Sequence, residues 1–124
     1  MPKYSFSLRR EFNNLLIISI GAVPGALIRW HLDNDFLVNI IGAGLFGFII
    51  GIPLRSRIRL ILCIGFCGAL TTFSGWMFNS LKLFSAGLFL EGFQLIIVTL
   101  LLGLFSALTG FFTAKKIIRS KLFL

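Results

Sequence analysis

Four stretches of the chain carry no charged side chain: residues 12–28, 36–54, 60–81 and 92–114. Each approaches or exceeds the roughly 20 residues needed to cross a hydrocarbon core about 30 Å thick. Backbone polar groups in lipid have to be satisfied within the segment, so all four are expected to be helices. Transmembrane strands would show a weaker, alternating pattern. Composition agrees: 57% of the 124 residues are hydrophobic and 13% charged, too few charges to cover a water-soluble fold. That excludes a soluble enzyme, a disordered tail and a disulfide-rich secreted module. The chain reads as one integral membrane domain, 1–124, of all-α class, with four transmembrane helices at roughly 12–30, 36–54, 58–81 and 87–114. The first stretch is short and follows Lys3, Arg9 and Arg10, as a signal peptide would. Pro24 inside it and Arg29 at its end fit a retained helix better.

The formal net charge of +8 would suit nucleic acid if the basic residues shared one polar face. They instead form short clusters between the apolar stretches, where Lys and Arg hold the cytoplasmic ends of membrane helices. With four spans, the N-terminus, the middle loop and the C-terminus share a side. Of the 12 Lys and Arg, ten fall there: Lys3, Arg9, Arg10, Arg55, Arg57, Arg59, Lys115, Lys116, Arg119 and Lys121. The other side has Arg29 and Lys82, with Asp33, Asp35 and Glu91. The expectation is a multi-pass protein of the cell membrane with both termini cytoplasmic.

Small residues recur every four positions, as Gly21 and Gly25 on the first helix and Ala43, Gly47 and Gly51 on the second. Such stripes let membrane helices approach closely, and two in so small a chain point to tight packing that includes association with a second subunit. Four helices enclose little space, so a pathway is expected between subunits. Cys63 and Cys67 share a helical face without a second Cys or His pair to complete a metal site, and read as small packing residues. His31 stands alone in a loop beside Asp33 and Asp35. The acidic groups lie at or near span ends, so none is placed for proton relay. No nucleophile–base set or phosphate loop can be assembled, and an enzyme is not expected.

The third span is the informative one. Thr71, Thr72 and Ser74 fall at its middle, between Gly68 and Gly75, and weaken the helix there. A break at that depth is tolerated where protein or a watery path covers the freed backbone groups. Freed carbonyls could coordinate a small cation, and hydroxyls could donate to an anion. Three hydroxyls bonding back to their own helix would account for the run equally well. Asn39, inside the second span, offers two donors and an acceptor without charge, for a pore or for an interhelical bond. Phe73, Trp76 and Phe78 surround the break, and their positive ring edges can face an anion without holding it as Lys would.

These segments resemble the Fluc (CrcB) family of small fluoride channels. Gly21-Ala22-Val23-Pro24-Gly25-Ala26-Leu27-Ile28-Arg29-Trp30 is similar to the family's first-helix motif. Val38-Asn39-Ile40-Ile41-Gly42 is similar to its second-helix Asn motif, and Gly65-Phe66-Cys67-Gly68 with Thr71-Thr72-Phe73-Ser74 to its third-helix signature. The resemblance covers nearly all the membrane portion. It implies an antiparallel dimer with two pores, each built from both subunits, that exports fluoride down its electrochemical gradient and so reduces its toxicity. It implies a structural Na⁺ at the dimer centre, held through the backbone carbonyls of Gly68 and Thr71. It carries the pore roles onto Asn39 as an amide, Phe73 as the first aromatic, Ser74 as a hydroxyl of the ion's polar track, and Trp76 where the second phenylalanine would stand.

The chain departs from the pattern at Trp76, at Gly75 for a threonine, at Asn79 for a glutamate, and at Ala69 for the second glycine of a pair. Thr99, Ser106 and Thr109 are all candidates for the fourth-helix hydroxyl. Family homodimers insert in both orientations, which requires weak charge bias. Ten basic residues against two in this chain point to an antiparallel dimer with an oppositely oriented homologue, and a dimer of the chain with itself, inserted in both orientations, is the alternative. A small multidrug or cation exporter, the competing four-span class, needs a carboxylate well inside its first span, and Glu11 lies only at the edge. A non-conducting assembly subunit would leave the Thr/Ser break without a role.

Overall fold

The structure is a computed structural model and describes residues 7–122. Lys3 lies outside the described residues, as does the side chain of Lys121. The helices are α1 (Leu8–Leu32), α2 (Asp35–Gly51), α3 (Ser56–Arg59), a π-type segment (Leu60–Cys67), α4 (Gly68–Leu70), α5 (Phe73–Ser85) and α6 (Phe89–Leu122). The third span is thus composite, running from Ser56 to Ser85 with its break in the middle. Together with α1 and α6 it is long and apolar enough to cross a membrane, and α2 is a shorter apolar helix of 17 residues. The protein is an all-α membrane protein.

Local chemistry explains the turns. Asp33 closes α1 in the left-handed region, φ 44° and ψ 37°, with its N–H on the Arg29 carbonyl, a conformation that Asp tolerates better than most residues. Asn34 follows in extended conformation, and its side chain caps α2 by accepting from the Leu37 N–H at 3.0 Å. The second span, expected to reach residue 54, ends as helix at Gly51 because Ile52 precedes Pro53 and is extended, φ −95° and ψ 140°. Gly87 takes φ +77° to turn α5 into α6. The last helix overruns its expected limit of 114 and carries Lys115, Lys116 and Arg119 beyond its apolar part.

The glycine stripes are consumed inside the chain. A Cβ on Gly21 would strike the Ile61 carbonyl, and one on Gly25 would strike the Phe66 carbonyl. Gly65 presses back on α1, with the Ile18 carbonyl 2.5 Å from where its Cβ would lie. On the other side, Gly47 has no room for a Cβ against the Ala107 carbonyl, and Gly51 is seated on Ala114 and Phe111. These stripes therefore join α1 to the π segment and α2 to α6. The tight packing expected of them is made within the chain at Gly21, Gly25, Gly47 and Gly51, while Ala43 of the second stripe lines an open groove beside Gly42 and Cys67. Large apolar side chains elsewhere face outward, Leu8, Trp30, Phe73 and Leu90 among them, as suits a helix bundle in lipid.

Candidate functional site

The break is made by two residues. Thr71 (φ −82°, ψ 153°) and Thr72 (φ −139°, ψ 125°) are extended, so the ladder of α4 stops and that of α5 starts anew. Thr71 settles its own side chain locally: its Oγ1 and its N–H both donate to the Cys67 carbonyl at 3.0 Å. Thr72 caps α5, its Oγ1 accepting from the Gly75 N–H at 3.2 Å. Ser74 Oγ lies 3.4 Å from that same Thr72 Oγ1.

The freed backbone groups are taken up by side chains of other helices. Asn39 Oδ1 accepts from the Thr72 N–H at 2.7 Å, and Asn39 Nδ2 donates to the Thr72 carbonyl at 2.9 Å. The amide orientation follows from this pair, since an N–H needs the oxygen and a carbonyl needs the NH₂. One further N–H of the Asn39 amide remains as donor capacity. Arg29 Nη1 donates to the Thr71 carbonyl at 3.3 Å, so a guanidinium sits at the C-terminal end of α4, where a cation is favoured. In a continuing helix the Thr72 N–H would serve the Gly68 carbonyl. Asn39 holds that N–H instead, which releases the Gly68 oxygen.

A groove of about 320 Å³ opens beside the break, lined by Asn39, Thr71, Thr72, Phe73, Trp76 and Thr99, with Gly103 and two leucines of α6. Its lining carries no charged residue. Phe73 is 72% exposed, and Trp76 is buried. Their rings meet edge to face, 5.4 Å between centroids and 71° apart. Trp76 Nε1 donates to the Leu95 carbonyl at 3.4 Å, and Thr99 Oγ1 donates to the same oxygen at 2.6 Å.

Of the residues chosen from sequence, Asn39, Thr71, Phe73 and Trp76 come together in this groove. Ser74 does not line it. Gly68 lines a second groove of about 410 Å³ with Gly42, Ala43, Cys63, Cys67 and Thr71, so Thr71 borders both. Among the fourth-helix hydroxyls, Thr99 faces the groove, Ser106 clamps α6 to α2 by donating to the Ile40 carbonyl at 2.8 Å, and Thr109 bonds within its own helix. Sequence reading missed Arg29 as a partner of the break, having placed it with the outward loop charges. Its position at the end of the first-helix motif was the available signal. Glu11 lies in the first turn of α1, 3.7 Å from Arg10 and about half exposed, so the first span lacks the interior carboxylate that an exporter requires.

Residues 16–111 match the family described as CrcB-like protein, Camphor Resistance (CrcB). The chain is 47% identical over 104 residues to a protein of Prochlorococcus marinus (strain MIT 9313) named Fluoride-specific ion channel FluC 2, covering 84% of each. It is 45% identical over 122 residues to a FluC 2 of Synechococcus sp. (strain CC9605), covering 94% of this chain and 92% of the relative. A Fluoride-specific ion channel FluC 1 of Prochlorococcus marinus (strain NATL2A) is 40% identical over 105 residues, covering 85% of this chain and 92% of the relative. With most of its length matched and its Asn39, Thr71 and Phe73 motifs gathered at one broken helix, this chain belongs to the CrcB family.

Proposed function

We propose that this chain is a subunit of a fluoride-selective channel, a conducting protein and not an enzyme, that lets fluoride leave the cytoplasm across the cell membrane. The carrying observation is the Asn39 amide, locked onto both sides of Thr72 with one N–H to spare, in an uncharged groove beside Phe73, Trp76 and Thr99. A small, strongly hydrated anion needs replacement donors that do not hold it too tightly. An amide N–H, the Thr72 hydroxyl hydrogen and aromatic edges meet that requirement, whereas a lysine would trap the ion. Ser74, beside Thr72, extends the line of hydroxyls away from the groove.

The assembly is read as an antiparallel dimer with two pores, each completed by the second subunit. A hard cation such as Na⁺ at the dimer centre would be held by the Gly68 carbonyl that the break releases and by the lone pair of the Thr71 carbonyl that Arg29 leaves open, from each of two subunits. When bound, Na⁺ supplies only positive charge and cohesion at the break. The basic residues at the start of α1, the α2–α3 turn and the end of α6 favour one orientation, with both termini cytoplasmic. That bias supports a partner that is an oppositely oriented homologue, and a dimer of the chain with itself is the alternative that the test below separates.

The test is fluoride efflux from liposomes containing the purified chain, with Na⁺ present and chloride as control. Fluoride-selective efflux from the chain alone establishes a channel and removes the need for a different partner. Efflux that appears only after co-reconstitution with an oppositely biased homologue establishes the heterodimer. No fluoride efflux from folded protein in either form overturns the channel reading.

A further inference from the structure

The outward end of the α2–α5 seam holds a carboxylate that the channel reading does not use. Asp35 lies in the first turn of α2, four residues before Asn39, so the two side chains share a helix face. Asn39 meets the backbone of Thr72, and Asp35 meets Gly75 and Asn79. Asp35 Oδ2 accepts from Asn79 Nδ2 at 3.1 Å. A Cβ on Gly75 would lie 2.5 Å from Asp35 Oδ2 and 2.7 Å from both Cγ and Oδ1. The carboxylate thus occupies the volume that a side chain at position 75 would fill. The ion pair found among the described residues joins Arg10 and Glu11, so the Asp35 charge is held by a neutral amide and not neutralised. Of the outward-side cations, Arg29 is engaged with the Thr71 carbonyl and Lys82 lies over the Phe78 ring at 4.4 Å.

We propose that Asp35 attenuates fluoride flux: it is a fixed negative charge, one helical turn outward of the Asn39–Thr72 clamp, that lowers fluoride occupancy of that approach. This rests on the reading of the Asn39 groove as the ion path. Gly75 makes the room and Asn79 sets the direction, so the three positions form one matched device. The seam therefore carries a charge that opposes fluoride entry at its outer end while its middle offers neutral donors.

The experiment is fluoride efflux from liposomes as a function of ionic strength, in whichever assembly conducts for the wild-type chain, comparing Asp35→Asn, Asn79→Ala and Asn39→Leu. Asp35→Asn keeps an oxygen for the Asn79 amide and removes only the charge. It is expected to raise efflux roughly two- to tenfold near 10 mM salt, where a unit charge about 10 Å away acts with little screening, and to leave it near wild type at about 1 M. Asn79→Ala keeps the charge and is expected to retain the wild-type salt dependence. An unchanged salt dependence in Asp35→Asn, with efflux lost in Asn39→Leu, overturns the proposal and spares the channel path. An Asn79→Ala profile that matches Asp35→Asn also overturns it, because Asp35 would then act through packing. Efflux indifferent to Asn39→Leu overturns the path and the proposal together.

Discussion

The guanidinium of Arg29 reaches across 42 residues of sequence to the carbonyl of Thr71, at 3.3 Å, and so binds the end of the first span to the centre of the third. Arg29 is half-buried there. Replacing it with Met removes the charge and the donor while keeping most of the stem's packing. The expected cost is about 1–2 kcal/mol, the lower part of the range for a hydrogen bond to a charged group. Thermal unfolding in detergent should fall by a few degrees, and amide exchange at 70–73 should rise more than exchange in α6.

Asn39→Asp separates structure from conduction. The aspartate keeps an acceptor for the Thr72 N–H, loses the donor to the Thr72 carbonyl, and brings a negative charge to the groove. Fluoride efflux is expected to fall by at least tenfold while the protein still elutes as a folded species on gel filtration. Retained efflux would remove Asn39 from the ion path.

Thr99→Val tests the α6 hydroxyl that lines the groove together with Asn39. The swap is close in shape and removes a bond made within α6 itself, to the Leu95 carbonyl, which Trp76 Nε1 still serves. Stability should change by no more than about 1 kcal/mol; efflux should fall several-fold when conduction turns this hydroxyl from Leu95 to the ion, and stay at wild type when it does not. Ser106→Ala is the contrast: it cuts the tie to the Ile40 carbonyl and is expected to lower thermal stability more than efflux.

Gly47 and Gly103 form a matched pair for testing the α2–α6 seam. An added Cβ at Gly47 collides with the Ala107 carbonyl, whereas none of the structure lies within 4 Å of one at Gly103. Gly47→Ala should destabilise by about 1–3 kcal/mol through forced separation of the helices. Gly103→Ala should be neutral or stabilising by up to about 1 kcal/mol from helix propensity. Detergent melting curves of the two variants check this directly.

Orientation can be read with cysteine labelling, because Cys63 and Cys67 are both buried and give little background. A cysteine at Ser56 should react with an impermeant maleimide in inverted membrane vesicles, and one at Asn34 in intact cells. Equal labelling of either site from both sides would show dual insertion and remove the case for a separate partner.

The four spans and the break were legible because each rests on a one-dimensional signal: runs without charge, and β-branched hydroxyls between glycines. Asn39 was legible as an isolated amide in apolar sequence. The fates of the hydroxyls were not. Thr71 bonds back to its own helix, Thr72 caps the next one, and Ser74 lies beside Thr72 without facing the groove; only the backbone path distinguishes these. The glycine stripes were legible as stripes, but their partners depend on which helix lies across from them. Arg29 looked like a loop charge because its span end is near solvent in sequence, while its long side chain reaches back toward the break. The π segment left no pattern that a helical period could reveal, since apolar residues surround it on every side.

That segment has a consequence for how the chain tolerates change in length. A π-type turn closes on the fifth residue ahead and so holds extra chain relative to an α-turn. A single deletion within 60–67 can be absorbed by relaxing one turn to α geometry, leaving Thr71 and Thr72 in register with Asn39. The same deletion at the start of α5, between Phe73 and Trp76, has no such slack: it swings every later residue of that helix about 100° around its axis, taking Trp76 away from Leu95 and Asn79 away from Asp35. Ahead of the break the protein has spare thread, and beyond it none.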